Sequence, residues 1–140
     1  MASSLPDNEQ LASRFFETLS AGNYDALRQM FRHDALWTVM PVAIPGAGPH
    51  NGPRGIVDEF LVPIRNMFVD GDPKLHIQNI FSKGAWVAVE THTLGSLKSG
   101  ERYDNRYCWI LEIVNQQIKT VREYMDGGYV ATRMPPDAPP

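Results

Sequence analysis

At Lys74 the hydrophobic period of this chain changes from a helical repeat to an alternation of two, and no other feature restricts its fold as much. Upstream, Leu11, Phe15 and Leu19 recur every fourth residue, and Ala12 and Phe16 widen the stripe, as on one face of a helix. Asp7, with Gln10 three residues later, has the spacing of a capping box that starts this helix. Gly22 ends it, and Asn23 is placed to cap a second helix with Leu27, Met30 and Phe31 on its apolar face. Downstream, Leu75, Ile77 and Phe81 alternate with polar neighbours, and residues 85–96, 101–114 and 117–126 read as three further strands. Strands of ten to fourteen residues exceed the usual five or six, so a sheet built from them must curve. Helices first and one antiparallel sheet after them make an α+β fold.

Between the two regimes, residues 35–40 read as a short strand containing Trp37 and Val39. Residues 41–55 then hold four prolines and four glycines, which excludes helix and central strand and predicts a long, ordered loop at the mouth of a pocket. A third helix carries Ile56, Val57, Phe60, Leu61, Ile64 and Phe68 inward, with Pro63 in its middle to kink or split it. Residues 70–73 make a turn, and residues 134–140 a frayed tail.

Composition narrows the function classes. The 140 residues suit one domain, residues 1–140, without internal repeat, and a chain this long buries roughly 70% of its unfolded surface. A net charge of -3 without a Lys/Arg run argues against a nucleic-acid partner. No apolar stretch is long enough to span a membrane, and the first residues lack a basic-then-apolar signal pattern, so a cytoplasmic protein is expected. The single Cys108 excludes an internal disulfide and a CxxC site. Gly46-Ala47-Gly48 lacks the spacing of a phosphate-binding fingerprint, and His33, His50 and His76 have no partner at metal-ligand spacing, so no cofactor or metal is expected.

Alternation proposes a site. If Trp86, Ala88 and Leu94 face the core, Glu90 and His92 share their parity and face it too. Asn105, Tyr107, Trp109 and Leu111 share a face on the next strand, and Val121, Glu123 and Met125 on the last. Glu90, His92 and Glu123 would then enter one concavity as base, acid and orienter. Asn105 and Tyr107 would donate to a substrate oxygen, and Trp37, Trp109 and Met125 would pack its carbon skeleton. Asp126 is better placed to cap a turn at Gly127-Gly128 than to do chemistry.

The order of elements, with Ala21-Gly22-Asn23-Tyr24-Asp25-Ala26-Leu27, Trp37, Gly52-Pro53-Arg54-Gly55-Ile56 and Arg122-Glu123-Tyr124-Met125-Asp126, resembles the nuclear transport factor 2-like superfamily over about residues 7–133. SnoaL-like polyketide cyclases, ketosteroid isomerases and limonene epoxide hydrolases look most similar. The resemblance implies a cone-shaped half-barrel with the N-terminal helices packed in its concave side, a deep apolar pocket, and a homodimer through the sheet. It also implies catalysis without metal. The ketosteroid isomerase positions fall at Phe15 or Phe16, Val39 or Met40, and near Trp109, so that residue set is missing. The limonene epoxide hydrolase positions fall at Trp37, Val39, Glu90, His92 and Glu123, so its Asp–Arg–Asp relay is replaced by other ionisable groups. Two readings follow. One is a cofactor-independent acid–base enzyme (isomerase, cyclase, dehydratase or hydrolase) acting on a small, largely apolar metabolite. The other is a non-catalytic ligand-binding or assembly module, whose polar groups would satisfy one another.

Overall fold

The structure is a computed structural model that describes residues 6–134. Helix α1 (Asp7–Ala21) starts behind Pro6 with no side-chain cap. Asp7 is thus the first helical residue instead of the cap, and the capping box with Gln10 does not form. Its C-terminus closes on Gly22 at φ +68°, a left-handed conformation that suits glycine, whose amide bonds Leu19 O at 3.0 Å. Asn23 caps α2 (Tyr24–Met30) as its sequence position predicts, its Oδ1 accepting from the Ala26 amide at 3.3 Å. Phe31 does not join the face of α2. At φ −97° and ψ 144° it opens β1 (Phe31–Val39), which carries its ring against Phe15.

The Pro/Gly-rich segment contains a short strand, β2 (Gly48–Asn51), antiparallel to β1 at the sheet edge, where Pro49 can sit without an amide to donate. The third helix is split at Pro63 into a π-helical segment (Arg54–Leu61) and a single α-turn, α3 (Val62–Arg65). Strands β3 (Lys74–Lys83), β4 (Trp86–Ser96), β5 (Arg102–Val114) and β6 (Gln117–Met125) follow, then α4 (Gly127–Arg133). The sheet order is β2-β1-β6-β5-β4-β3, a curved and unclosed half-barrel in an α+β fold.

One pair departs from the antiparallel expectation. β1 and β6 run parallel, with Trp37 opposite Val121 and Val39 opposite Glu123. Every other strand of the sheet, β2 to β5, is built between these two in sequence, so no hairpin imposes an antiparallel direction on them. A register shift between Ile77 and Asn79 also reverses the alternation of β3, so that Ile80 packs inward and Phe81, expected in the core, is 59% exposed.

The core lies between the concave face and the helices. Phe15, Phe16, Leu27, Trp37, Ile56 and Leu111 are essentially inaccessible, each contributing about 1.5–3 kcal/mol of burial. Glu9 anchors α1 to β3 by accepting a hydrogen bond from the Ser82 hydroxyl. Met134, expected in a frayed tail, is buried; residues 135–140 of that tail lie outside the described residues.

Candidate active site

The buried residues of β4 are Val87, Val89, Thr91 and Thr93, the parity opposite to the one that Trp86 suggests. Trp86 lies on the convex face, 42% exposed, with the Arg122 guanidinium 5.3 Å from its ring centre. The cross-strand register makes the assignment unambiguous, because Val89 pairs with Trp109, Thr91 with Tyr107 and Thr93 with Asn105. Glu90 and His92 therefore project from the convex face, away from Glu123, and the expected Glu90–His92–Glu123 group does not assemble. Glu90 accepts from Asn79 Nδ2 at 2.9 Å. His92 Nε2 lies 2.6 Å from Asp104 Oδ1, and that bond holds the Asp104 carboxyl below its ordinary pKa.

The faces of β5 and β6 are as the alternation predicts. Trp37, Tyr107, Trp109 and Glu123 line a cavity of about 60 Å³ inside the half-barrel, together with Phe60, Ile64, Arg65, Thr93 and Met134. Asn105 and Met125 do not line it. Asn105 is instead bonded within the protein: its amide donates to Tyr103 Oη at 3.3 Å and to Asp126 O at 3.4 Å, and its carbonyl accepts from the Arg106 amide. Residues 41–55 back the cavity wall without lining it, since His50 stacks on Phe60 at 4.1 Å and Gly46 lies against Phe60 and Ile64.

Glu123 is the chemically distinctive group. It is 8% exposed, and Trp37 Nε1 donates to its Oε1 at 2.8 Å. Its Oε2 has no hydrogen-bond partner among the described residues. Burial pushes its pKa up to about 7, against the lesser downward pull of the Trp37 hydrogen bond. On β5, Tyr107 stacks against Trp109 at 5.1 Å, and its hydroxyl lies 2.6 Å from that of Tyr103. Burial raises both phenols, Tyr103 to about 12, so both remain protonated donors. Trp109 Nε1 donates to Thr91 Oγ1 at 3.0 Å, and Thr91 and Thr93 share a hydrogen bond at 3.1 Å. The arrangement offers one carboxyl able to give or take a proton near neutrality, one phenol able to donate, and aromatic walls.

Two groups escaped the sequence reading although signals for them existed. Thr91 and Thr93 continue the β-branched series of Val87 and Val89, which fits a buried sheet face better than the Trp86 series does. Arg65 falls four residues after Leu61 and three before Phe68, on the inward stripe of the third helix.

Comparison with known proteins gives a match over residues 12–121 to a family described as SnoaL-like domain. No curated protein matches the chain. Among solved structures, a provisional SnoaL-like polyketide cyclase from Jannaschia sp. CCS1 superposes with a TM-score of 0.79 at 18% identity, over 100% of both chains. An NTF2-like protein from Burkholderia xenovorans LB400 gives 0.75 at 21% identity, over 95% of this chain and 99% of its own. TerC, co-crystallized with polyporic acid, gives 0.78 at 14% identity, over 88% and 94%. At these identities the structural likeness establishes the fold.

Proposed function

The chain belongs to the SnoaL-like domain family, and from that premise we propose that it is an acid–base enzyme in which Glu123 moves a proton on a small, largely apolar organic metabolite. The observation that carries this reading is a lone carboxyl with a pKa of about 7 at the wall of an aromatic cavity. Trp37 holds Oε1, which leaves Oε2 to meet the substrate. Oε2 takes a proton from a carbon beside a carbonyl, and the electron pair of that C–H bond moves onto the carbonyl oxygen. The Tyr107 hydroxyl donates to the resulting enolate when Tyr103 donates to Tyr107. Glu123 then returns its proton to another carbon, which is isomerisation, or the enolate carbon attacks a second carbonyl, whose oxygen takes up the π pair and then the proton from Glu123, which is cyclisation. Hydrolysis and dehydration are less well supported, because Glu90 and His92, the partners that would manage a water, are on the other face. The co-crystallization of TerC with polyporic acid supports an organic metabolite as the ligand class.

One set of observations favours a ligand-binding module instead. The cavity is small, and Tyr103, Tyr107, Asn105, Thr91, Thr93 and Trp109 bond chiefly to one another. The deciding experiment identifies a co-purified ligand by mass spectrometry and follows its carbon-bound deuterium exchange from D2O. Glu123→Gln should slow that exchange about a hundredfold or more with the fold intact. Exchange that survives the substitution would put the module reading first.

The cytoplasm is the proposed location; among the described residues no helix is long and apolar enough to cross a membrane. A homodimer through the convex face is likewise proposed, on the exposure of Phe81, Trp86 and Tyr124 there.

A further inference from the structure

The cavity holds a second ionic group that the proton-transfer reading leaves unused. Arg65 is 8% exposed and lines the same space as Glu123. Its Nη1 donates to Pro73 O at 3.1 Å and its Nη2 to Ser20 O at 3.3 Å, and no carboxylate lies within 4.0 Å of it among the described residues. Carbonyl oxygens satisfy N–H groups but do not neutralise a charge. A guanidinium has five N–H groups, so donors are left over. Buried cations are costly unless a counter-charge meets them.

We propose that Arg65 makes this cavity a receptor for a small organic carboxylate, holding the anionic group of the ligand while the apolar body lies against Trp37, Phe60 and Trp109. The proposal rests on the reading of the cavity as the ligand site and adds the charge of the ligand to it. The sheet brings only Tyr107 and Glu123 as titratable groups to the cavity, with Tyr103 behind Tyr107, and α3 brings Arg65. The side chains that α1, β1, β3, β4 and the π-helical segment present there carry no charge. Outside the cavity, Asp70 and Asp72 line a groove with Arg65, and Lys74 Nζ donates to the same Ser20 O. Inside it, burial keeps Glu123 largely protonated below neutrality, so on the cavity side the charge of Arg65 faces no carboxylate. An incoming carboxylate supplies the missing charge and disfavours ionisation of Glu123, so its binding takes up a proton near pH 7.

The test uses benzoate and benzamide, two probes of nearly one shape that differ in charge, titrated onto the whole protein while the indole N–H signals of Trp37 and Trp109 are followed by NMR. Benzoate should bind about tenfold or more tightly than benzamide, the scale of a charge-assisted hydrogen bond. Arg65→Met should erase that preference. Benzoate affinity should also fall by roughly threefold or more from pH 6 to pH 8, and Glu123→Gln should flatten this dependence. If Arg65→Met fails to fold, the wild-type preference and its pH dependence decide the matter. Equal affinity for the two probes, or a preference that survives Arg65→Met, overturns the proposal. Equal affinity together with loss of proton exchange in Glu123→Gln would leave the proposed enzyme standing. A preference for benzoate that depends on Arg65, with exchange surviving Glu123→Gln, would sink the enzyme and keep the anion receptor. If neither probe moves either indole signal, the anion-receptor proposal falls, and proton exchange on the co-purified ligand alone decides the enzyme reading.

Discussion

Glu123 keeps its proton to near neutral pH because β6 delivers it to a largely buried site, and this makes both activity and stability depend on pH. Its folded pKa of about 7 lies above the ordinary 4.5, so between those values the folded protein binds more protons than the unfolded chain. Stability therefore falls as pH rises from 4.5 towards 7 and levels off above, a loss of about 3 kcal/mol in all. Urea denaturation at pH 5 and pH 8 should show this loss in the wild type and a much smaller one in Glu123→Gln. The Trp37 indole works in the opposite direction by stabilising the carboxylate. Trp37→Phe should raise the acid limb of a pH–rate profile by about one unit or more, the scale of a hydrogen bond to a charged group. His92→Gln should leave turnover unchanged, since that imidazole is bonded to Asp104 on the convex face.

At the scale of elements, α4 matters more than its seven residues suggest. Asp126 caps it, accepting from the Tyr129 amide at 3.1 Å, as its position before Gly127-Gly128 predicts. The helix buries Val130, the chain after it places Met134 against the cavity, and the Tyr129 hydroxyl accepts from the Asp104 amide at 2.8 Å. Asp126→Ala should destabilise the protein by about 1 kcal/mol. Amide hydrogen exchange in α4 should rise more than in β5, because the lost cap frays the short helix first.

At the scale of the molecule, the half-barrel has two faces with different tasks. The concave face packs the helices and encloses the cavity. The convex face carries Phe81, Trp86 and Tyr124, and beside them the Thr120 hydroxyl and Arg122 Nε are buried without hydrogen-bond partners among the described residues. A second copy of the chain would cover this surface. Trp86→Glu or Phe81→Glu should convert a sedimenting dimer into a monomer with its cavity unchanged; a wild type that sediments as a monomer would remove the proposal.

What the chain determines locally was legible in it. The helical stripe of α1, its stop at Gly22, the Asn23 and Asp126 caps, the split at Pro63 and the inward faces of β5 and β6 all depend on residues within a few positions of one another. The resemblance to the nuclear transport factor 2-like superfamily was legible on the same terms. The tertiary structure alone decided what depends on partners far along the chain. The parallel pairing of β1 with β6 joins strands more than eighty positions apart, and it is this pairing that brings the Trp37 indole to Glu123. The inward parity of β4 was set by its register against β5, because a tryptophan can lie on a convex face as readily as in a core when another chain or an arginine covers it. The bulge in β3 moved Phe81 outward, since one extra residue reverses every side chain beyond it. Arg65 came to share a cavity with Glu123 for the same reason: alternation and helical period say which residues share a face, and only packing says which faces meet.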